Sequence, residues 1–125
     1  ESLTKEELAV KLADSIAKRK QLLKLLSMNN YDMEANSRKE LLINFKRAYG
    51  QSMENIRTCL KKFCPEMTEK ERQDFIYIFF PFMFGIYPYA EVTENQKEAM
   101  EKADVDYEHR SIYEITYRCL LRLLY

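Results

Sequence analysis

The sequence has 125 residues, 46% of them hydrophobic, which suffices for one compact domain with its own core. Its 20 Lys and Arg residues balance 20 Asp and Glu residues, so no basic footprint draws nucleic acid or anionic lipid to these residues themselves. With two glycines, three prolines and an abundance of Leu, Ala, Glu, Lys, Met and Gln, turns are scarce and helix formers dominate.

Helix starts are the clearest local signals. Thr4-Lys5-Glu6-Glu7, Ser37-Arg38-Lys39-Glu40, Thr68-Glu69-Lys70-Glu71 and Thr93-Glu94-Asn95-Gln96 each fit a capping box. In that motif the hydroxyl accepts from the amide three residues on, and the Glu or Gln side chain accepts from the cap amide. After Thr4, Leu8, Leu12, Ala13 and Ile16 share one helical face, and Leu22, Leu23, Leu25 and Leu26 begin a second apolar patch. The pattern leaves open whether this is one helix or two. Asn36 and Ser37 predict a tight corner, because Asn tolerates the left-handed conformation that closes a helix and Ser caps the next.

From Ser37 to Phe63 the series Leu41, Phe45, Ala48, Tyr49, Ser52, Met53, Ile56, Leu60, Phe63 holds a helical period. A helix of that length spans roughly 40 Å at 1.5 Å per residue. Cys64-Pro65 should end it, since proline disfavours helical geometry in the residue before it. The helix from Thr68 is apolar on nearly every side between Phe75 and Phe84 and therefore needs more than one neighbour. Pro81 is expected to kink it, and Gly85 with Pro88 to end it.

A short helix near Thr93 to Lys102 and an acidic turn at Asp104 to Asp106 lead to a final helix that runs to Tyr125. There Ile112, Thr116, Cys119 and Leu123 form one stripe, and Tyr113, Tyr117, Leu120 and Leu124 another. The charge-free stretch from Phe75 to Ala90 falls short of the ~20 apolar residues that cross a bilayer and carries two prolines and a glycine, so it reads as core and no membrane partner is expected.

Chemical constellations are weak. His109 sits in Asp-Tyr-Glu-His-Arg without a nearby nucleophile and reads as a solvated side chain. Cys59, Cys64 and Cys119 lack metal-ligand spacing and have apolar neighbours, which fits buried free thiols in a reducing cytoplasm. Two glycines cannot form a phosphate-binding loop. Glu6/Glu7 and Glu69/Glu71 are explained by caps and helix dipoles, and Lys18-Arg19-Lys20 by a solvated helix surface. No catalytic residue, metal or cofactor is expected. The aromatic stripe alone suggests a binding role, because apolar linings serve cores and ligand pockets alike.

Several segments in order resemble the C-terminal regulatory domain of the tetracycline-repressor family of bacterial transcription regulators. They are Leu-Thr-Lys-Glu-Glu-Leu-Ala at the start, Lys-Arg-Lys-Gln-Leu-Leu-Lys-Leu-Leu near residue 20, the Asn36-Ser37 corner, and Phe-Met-Phe-Gly-Ile-Tyr-Pro-Tyr-Ala from Phe82. Related chains often carry proline where Lys20 stands, so the first helix break is left open by the resemblance as well.

The resemblance implies an all-α antiparallel bundle of about six helices, the last two long ones pairing with a second copy in a four-helix bundle. The interface residues it implies are Tyr113, Tyr117, Leu120, Leu121 and Leu124, with Phe75, Ile78 and Phe82 opposite. It implies an effector cavity between the long central helix, its predecessor and the helix from Thr68, facing Tyr31, Phe45, Tyr49, Met53, Phe79, Met83 and Tyr87. The effector would be an apolar or aromatic small molecule, and DNA would be met only through a helix-turn-helix unit preceding Glu1. All 125 residues then form one regulatory domain, a piece of a longer regulator. The competing expectation is a stand-alone helical module that docks a partner helix on the Phe75 to Tyr89 surface.

Overall fold

Three of the four capping boxes form as the sequence predicts. The hydroxyls of Thr4, Thr68 and Thr93 accept from the amides of Glu7, Glu71 and Gln96, whose side chains accept from the three cap amides in return. These caps organise a computed structural model that describes residues 3–28 and 39–125. The Asn36-Ser37 corner with its capping box, and Tyr31, lie outside the described residues.

The helices are α1 (Lys5–Ala17), α2 (Lys20–Met28), α3 (Lys39–Phe63), α4 (Glu69–Ala90), α5 (Glu94–Lys102) and α6 (Ile112–Leu124), an all-α fold. The open question at the start resolves as two helices. Lys18 and Arg19 form the turn between them, with the Arg19 amide donating to the Ile16 carbonyl at 2.9 Å.

α1 lies along α6, α2 lies along α4, and α4 also meets α3 and α6. The buried face of α1 is Leu8, Ala9 and Ala13, whose small alanines let α6 approach closely. α4 is the hub: Phe75, Ile76, Phe79, Phe80, Met83, Ile86 and Ala90 are all buried, on more than one side of the helix. Leu23 of α2, Leu60 of α3 and Leu120 of α6 complete the core at 0% exposure.

α4 departs from expectation at its end. The sequence predicts termination at Gly85 and Pro88, yet the helix runs to Ala90 and contains both prolines. Each proline removes one helical donor, and an interior glycine costs about 1 kcal/mol relative to alanine. Burial of Ile86 and Ala90 on the far side of those residues offsets the loss, an instance of packing overriding propensity. The Glu91 amide closes the helix by donating to the Tyr87 carbonyl at 2.8 Å, and Lys20 at the start of α2 pairs with Glu91 at 3.1 Å.

α3 ends at Phe63, before Cys64-Pro65 as predicted. Only Leu60 of its 25 residues is fully buried. Half-buried Arg57 ties its last turns to α4, reaching Gln73 by a hydrogen bond and Glu69 by an ion pair at 3.8 Å.

On α6 the two predicted stripes merge. The fully buried line is Ile112, Thr116, Leu120 and Leu124, one residue every four, while Tyr113, Tyr117, Cys119 and Leu123 are half-buried beside it. Asp104 takes a positive φ of 57° in the acidic turn, a conformation Asp tolerates better than most residues. No single helix among the described residues is long and apolar enough to cross a membrane; α4 and α5 would have to be combined across an 82° bend.

Candidate functional site

α3 leans on α4 but makes no extensive contact with α1 or α2, and the gap is a cavity of about 520 Å³ bounded by all four. That volume lies within the range of small-molecule sites. Regular spacing on each helix builds its walls. α3 contributes Phe45, Ala48, Tyr49, Ser52, Asn55 and Ile56, which follow the three-and-four rhythm of one helical face. Leu12, Ser15 and Ile16 of α1, with Arg19 just beyond its end, repeat that rhythm. Leu22 and Leu26 of α2 close one side, and Phe79, Phe80, Met83 and Phe84 of α4 form the floor.

The aromatic side chains hold the floor to the α3 wall. Tyr49 meets Phe80 edge-on at 5.5 Å and Phe84 edge-on at 6.0 Å, geometries in which ring edges face π clouds. Phe79 stacks on Phe82 at 5.8 Å. The Tyr49 hydroxyl, partly removed from water, has its pKa raised chiefly by that desolvation and then by Tyr77, so it is a neutral donor and acceptor near neutral pH. Ser15, Ser52 and Asn55 supply the other neutral polar groups. Arg19 is the one charged lining residue among the described residues; its guanidinium donates to the Ser15 carbonyl at 2.7 Å and to the Ser15 hydroxyl.

Of the residues expected to face an effector, Phe45, Tyr49, Phe79 and Met83 are brought together on this cavity. Met53 and Tyr87 are not; they pack half-buried against the core, one helical step away from the lining positions. The sequence reading named the helix before α3 as a wall but none of its residues, and it missed α1. Its signal was available in the spacing Leu12, Ser15, Ile16, Arg19, but Arg19 falls inside Lys18-Arg19-Lys20 and was masked by its charged neighbours. Ser111 was missed as well: its hydroxyl accepts from the Glu114 amide, and Ser-Ile-Tyr-Glu has the spacing of the other caps.

The residues expected at a two-fold interface divide in two. Phe75, Leu120 and Leu124, at 2%, 0% and 4% exposure, are spent in the core of this chain and present no surface to a partner. Ile78 is 51% exposed on α4, and Phe82, Tyr113, Tyr117 and Leu121 are half-buried. The Tyr113 and Tyr117 rings stack at 6.0 Å with only 4° between their planes. Exposed Tyr77 and Tyr89 extend the apolar surface of α4.

The thiols of Cys59, Cys64 and Cys119 are unpaired with one another, and burial pushes all three above the usual thiol value, away from the reactive thiolate. Among the described residues no group of His, Cys, Asp and Glu has the arrangement of a metal site.

The chain matches the family described as tetracyclin repressor-like, C-terminal domain, over residues 1–123. Searches of curated proteins and of solved structures give no match. With the matched region running nearly from end to end over an all-α fold, the chain belongs to the tetracycline repressor-like C-terminal domain family.

Proposed function

We propose that this domain senses a small-molecule effector in the cavity between α1, α2, α3 and α4 and couples its occupancy to the geometry of a homodimer. The observation that carries the reading is the cavity itself: about 520 Å³, walled by regularly spaced apolar and aromatic faces with a few neutral polar groups. The space is open to solvent on one side, with Leu22 48% exposed at its rim, so it leaves apolar wall that a bound molecule would cover. Domains of this family serve regulators as ligand-binding and dimerising units.

The pairing surface is the outward side of α4 and α6, where Ile78 is exposed and Phe82, Tyr113, Tyr117 and Leu121 are partly so. Through that surface, ligand binding shifts the population between two dimer geometries by its differential affinity for them. In one geometry a pair of helix-turn-helix units, supplied outside these 125 residues, spans successive major grooves and binds DNA. In the other it does not, and DNA is released. The regulator is assigned to a bacterial cytoplasm, the compartment in which its three free thiols stay reduced.

The test has two parts. Phenylnaphthylamine, an uncharged fluorescent probe, should brighten on binding, and Ser52→Trp, which fills the cavity from the middle of the α3 wall, should abolish the response. Light scattering at micromolar concentration should give a dimer that Ile78→Glu or Tyr117→Glu dissociates. A strictly monomeric wild-type protein whose probe response survives Ser52→Trp would overturn the reading. It would favour the second one, a helical module that docks a partner through the exposed Tyr77, Ile78 and Tyr89 side chains of α4.

A further inference from the structure

We propose that the cavity selects an amphipathic anion: a molecule with an apolar, preferably aromatic, body and one carboxylate, sulfonate or phosphate head seated at Arg19. The inference rests on the cavity being the effector site and adds the charge and orientation of what it takes.

The argument starts from what the wall lacks. Arg19 is charged, and no carboxylate lines the cavity among the described residues. Among the described residues a ligand cation entering this space would meet a like charge and no counter-charge, whereas an anion would meet a guanidinium. Only one guanidinium nitrogen of Arg19 is engaged by Ser15, and five N–H donors in a planar fork leave further donors to address an oxyanion. The anchoring to Ser15 fixes the fork at the end of α1, so little rotational freedom is lost when an anion binds.

A second cation reinforces the sign. The Lys46 ammonium lies 5.7 Å from the ring centroid of Phe45 and 5.5 Å from that of Tyr49, both of which line the cavity. It is held against the α3 wall by the π faces and adds positive potential on the side across from α1. Ser15 beside Arg19 and Ser52 with Asn55 on α3 supply neutral hydrogen-bonding groups. The floor of Phe79, Phe80, Met83 and Phe84 offers only rings and a thioether. Polar chemistry on the helix-end side and apolar chemistry on α4 therefore give the bound molecule a direction: head at the α1–α2 turn, body over α4.

The experiment compares anilinonaphthalene sulfonate with phenylnaphthylamine, which share one aromatic body and differ by the sulfonate. Fluorescence titrations use the wild-type protein, Arg19→Gln, Arg19→Lys, Lys46→Gln and Ser52→Trp, with helical content checked for each. The expected result is a preference of about five- to tenfold for the sulfonate at low salt, narrowing as salt screens it, because Arg19 is exposed. Arg19→Gln should remove most of that preference by weakening the sulfonate far more than phenylnaphthylamine, Arg19→Lys should restore part of it, and Lys46→Gln should reduce it. Equal affinity for the two probes, both lost in Ser52→Trp, would overturn the anion preference while leaving the effector cavity standing. A sulfonate preference unchanged by Arg19→Gln and Lys46→Gln would overturn it too, by placing the anion elsewhere. Two probe responses that survive Ser52→Trp would overturn the cavity reading and the anion preference together.

Discussion

Replacing Thr116 by Val tests the energetics of the α6 core. Thr116 is 0% exposed, and its Oγ1 has no hydrogen-bond partner among the described residues. A buried hydroxyl that gives up water without gaining a partner costs roughly 1–3 kcal/mol. Val has nearly the same shape, both residues are β-branched, and their helix propensities are similar, so the substitution removes the unpaired hydroxyl and changes little else. We expect Thr116→Val to stabilise the fold by about 1 kcal/mol, raising Tm by roughly 3–5 °C for a chain of this size. Thr116→Ser keeps the hydroxyl and deletes a methyl, and should destabilise by about 1 kcal/mol through lost burial and a small void. Urea unfolding at fixed protein concentration, with unchanged m-values, measures both. A Thr116→Val variant less stable than the wild type by more than about 0.5 kcal/mol would refute the reasoning, because it would mean the hydroxyl has a partner in solution.

Thr68→Ala should cost about 1 kcal/mol by removing a cap from the hub helix, whereas Thr93→Ala should loosen only α5, which has no buried residue; comparing global urea midpoints with amide exchange in the two helices checks this. Cys64, 1% exposed and with its thiol pKa raised by burial, should be alkylated by iodoacetamide far more slowly than in urea at neutral pH, and rapid native modification would contradict its placement. A hydrogen bond to Glu6 is the main reason the Tyr125 phenol is pushed up to about 12 from its ordinary 10.0. That contribution to stability is complete below pH 10 and lost as pH rises through about 12, so Tyr125→Phe should flatten the decline of the urea midpoint in that window. The carboxyl of Glu6 is held below its ordinary 4.5 first by the same bond, so its contribution is present above pH 4.5 and fades as pH falls.

How much of this could be read from the chain depended on whether the deciding interaction was local. The caps at Thr4, Thr68 and Thr93 and the stop at Cys64-Pro65 are contained within a few residues, and each formed where the sequence put it. The end of α4 was not legible, because Gly85 and Pro88 argue locally for a stop while burial of Ile86 and Ala90 depends on distant partners. Rotational phase on a helix is equally non-local. Leu120 and Leu124 are as apolar as any interface residue, and only the position of α6 against α1 and α4 shows that they point inward. At the candidate site the aromatic residues of α3 and α4 stood out by composition. The opposing wall did not, since Leu12, Ser15 and Ile16 are ordinary helix residues until α1 is placed across from α3.

The weak anchoring of α3 separates two demands on its residues. Leu60 is its only fully buried residue, and Arg57 fastens the helix near the same end, whereas the cavity wall begins at Phe45, four turns earlier. Residues such as Ala48, Ser52 and Asn55 can therefore be exchanged with small effect on folding, since they border a void or solvent and carry little of the core. Most substitutions at such positions would alter the shape and polarity of the chamber without threatening the scaffold. A lineage bearing this domain can drift toward new ligands along one face of one helix while the hub, α4, stays under the constraint of its packing.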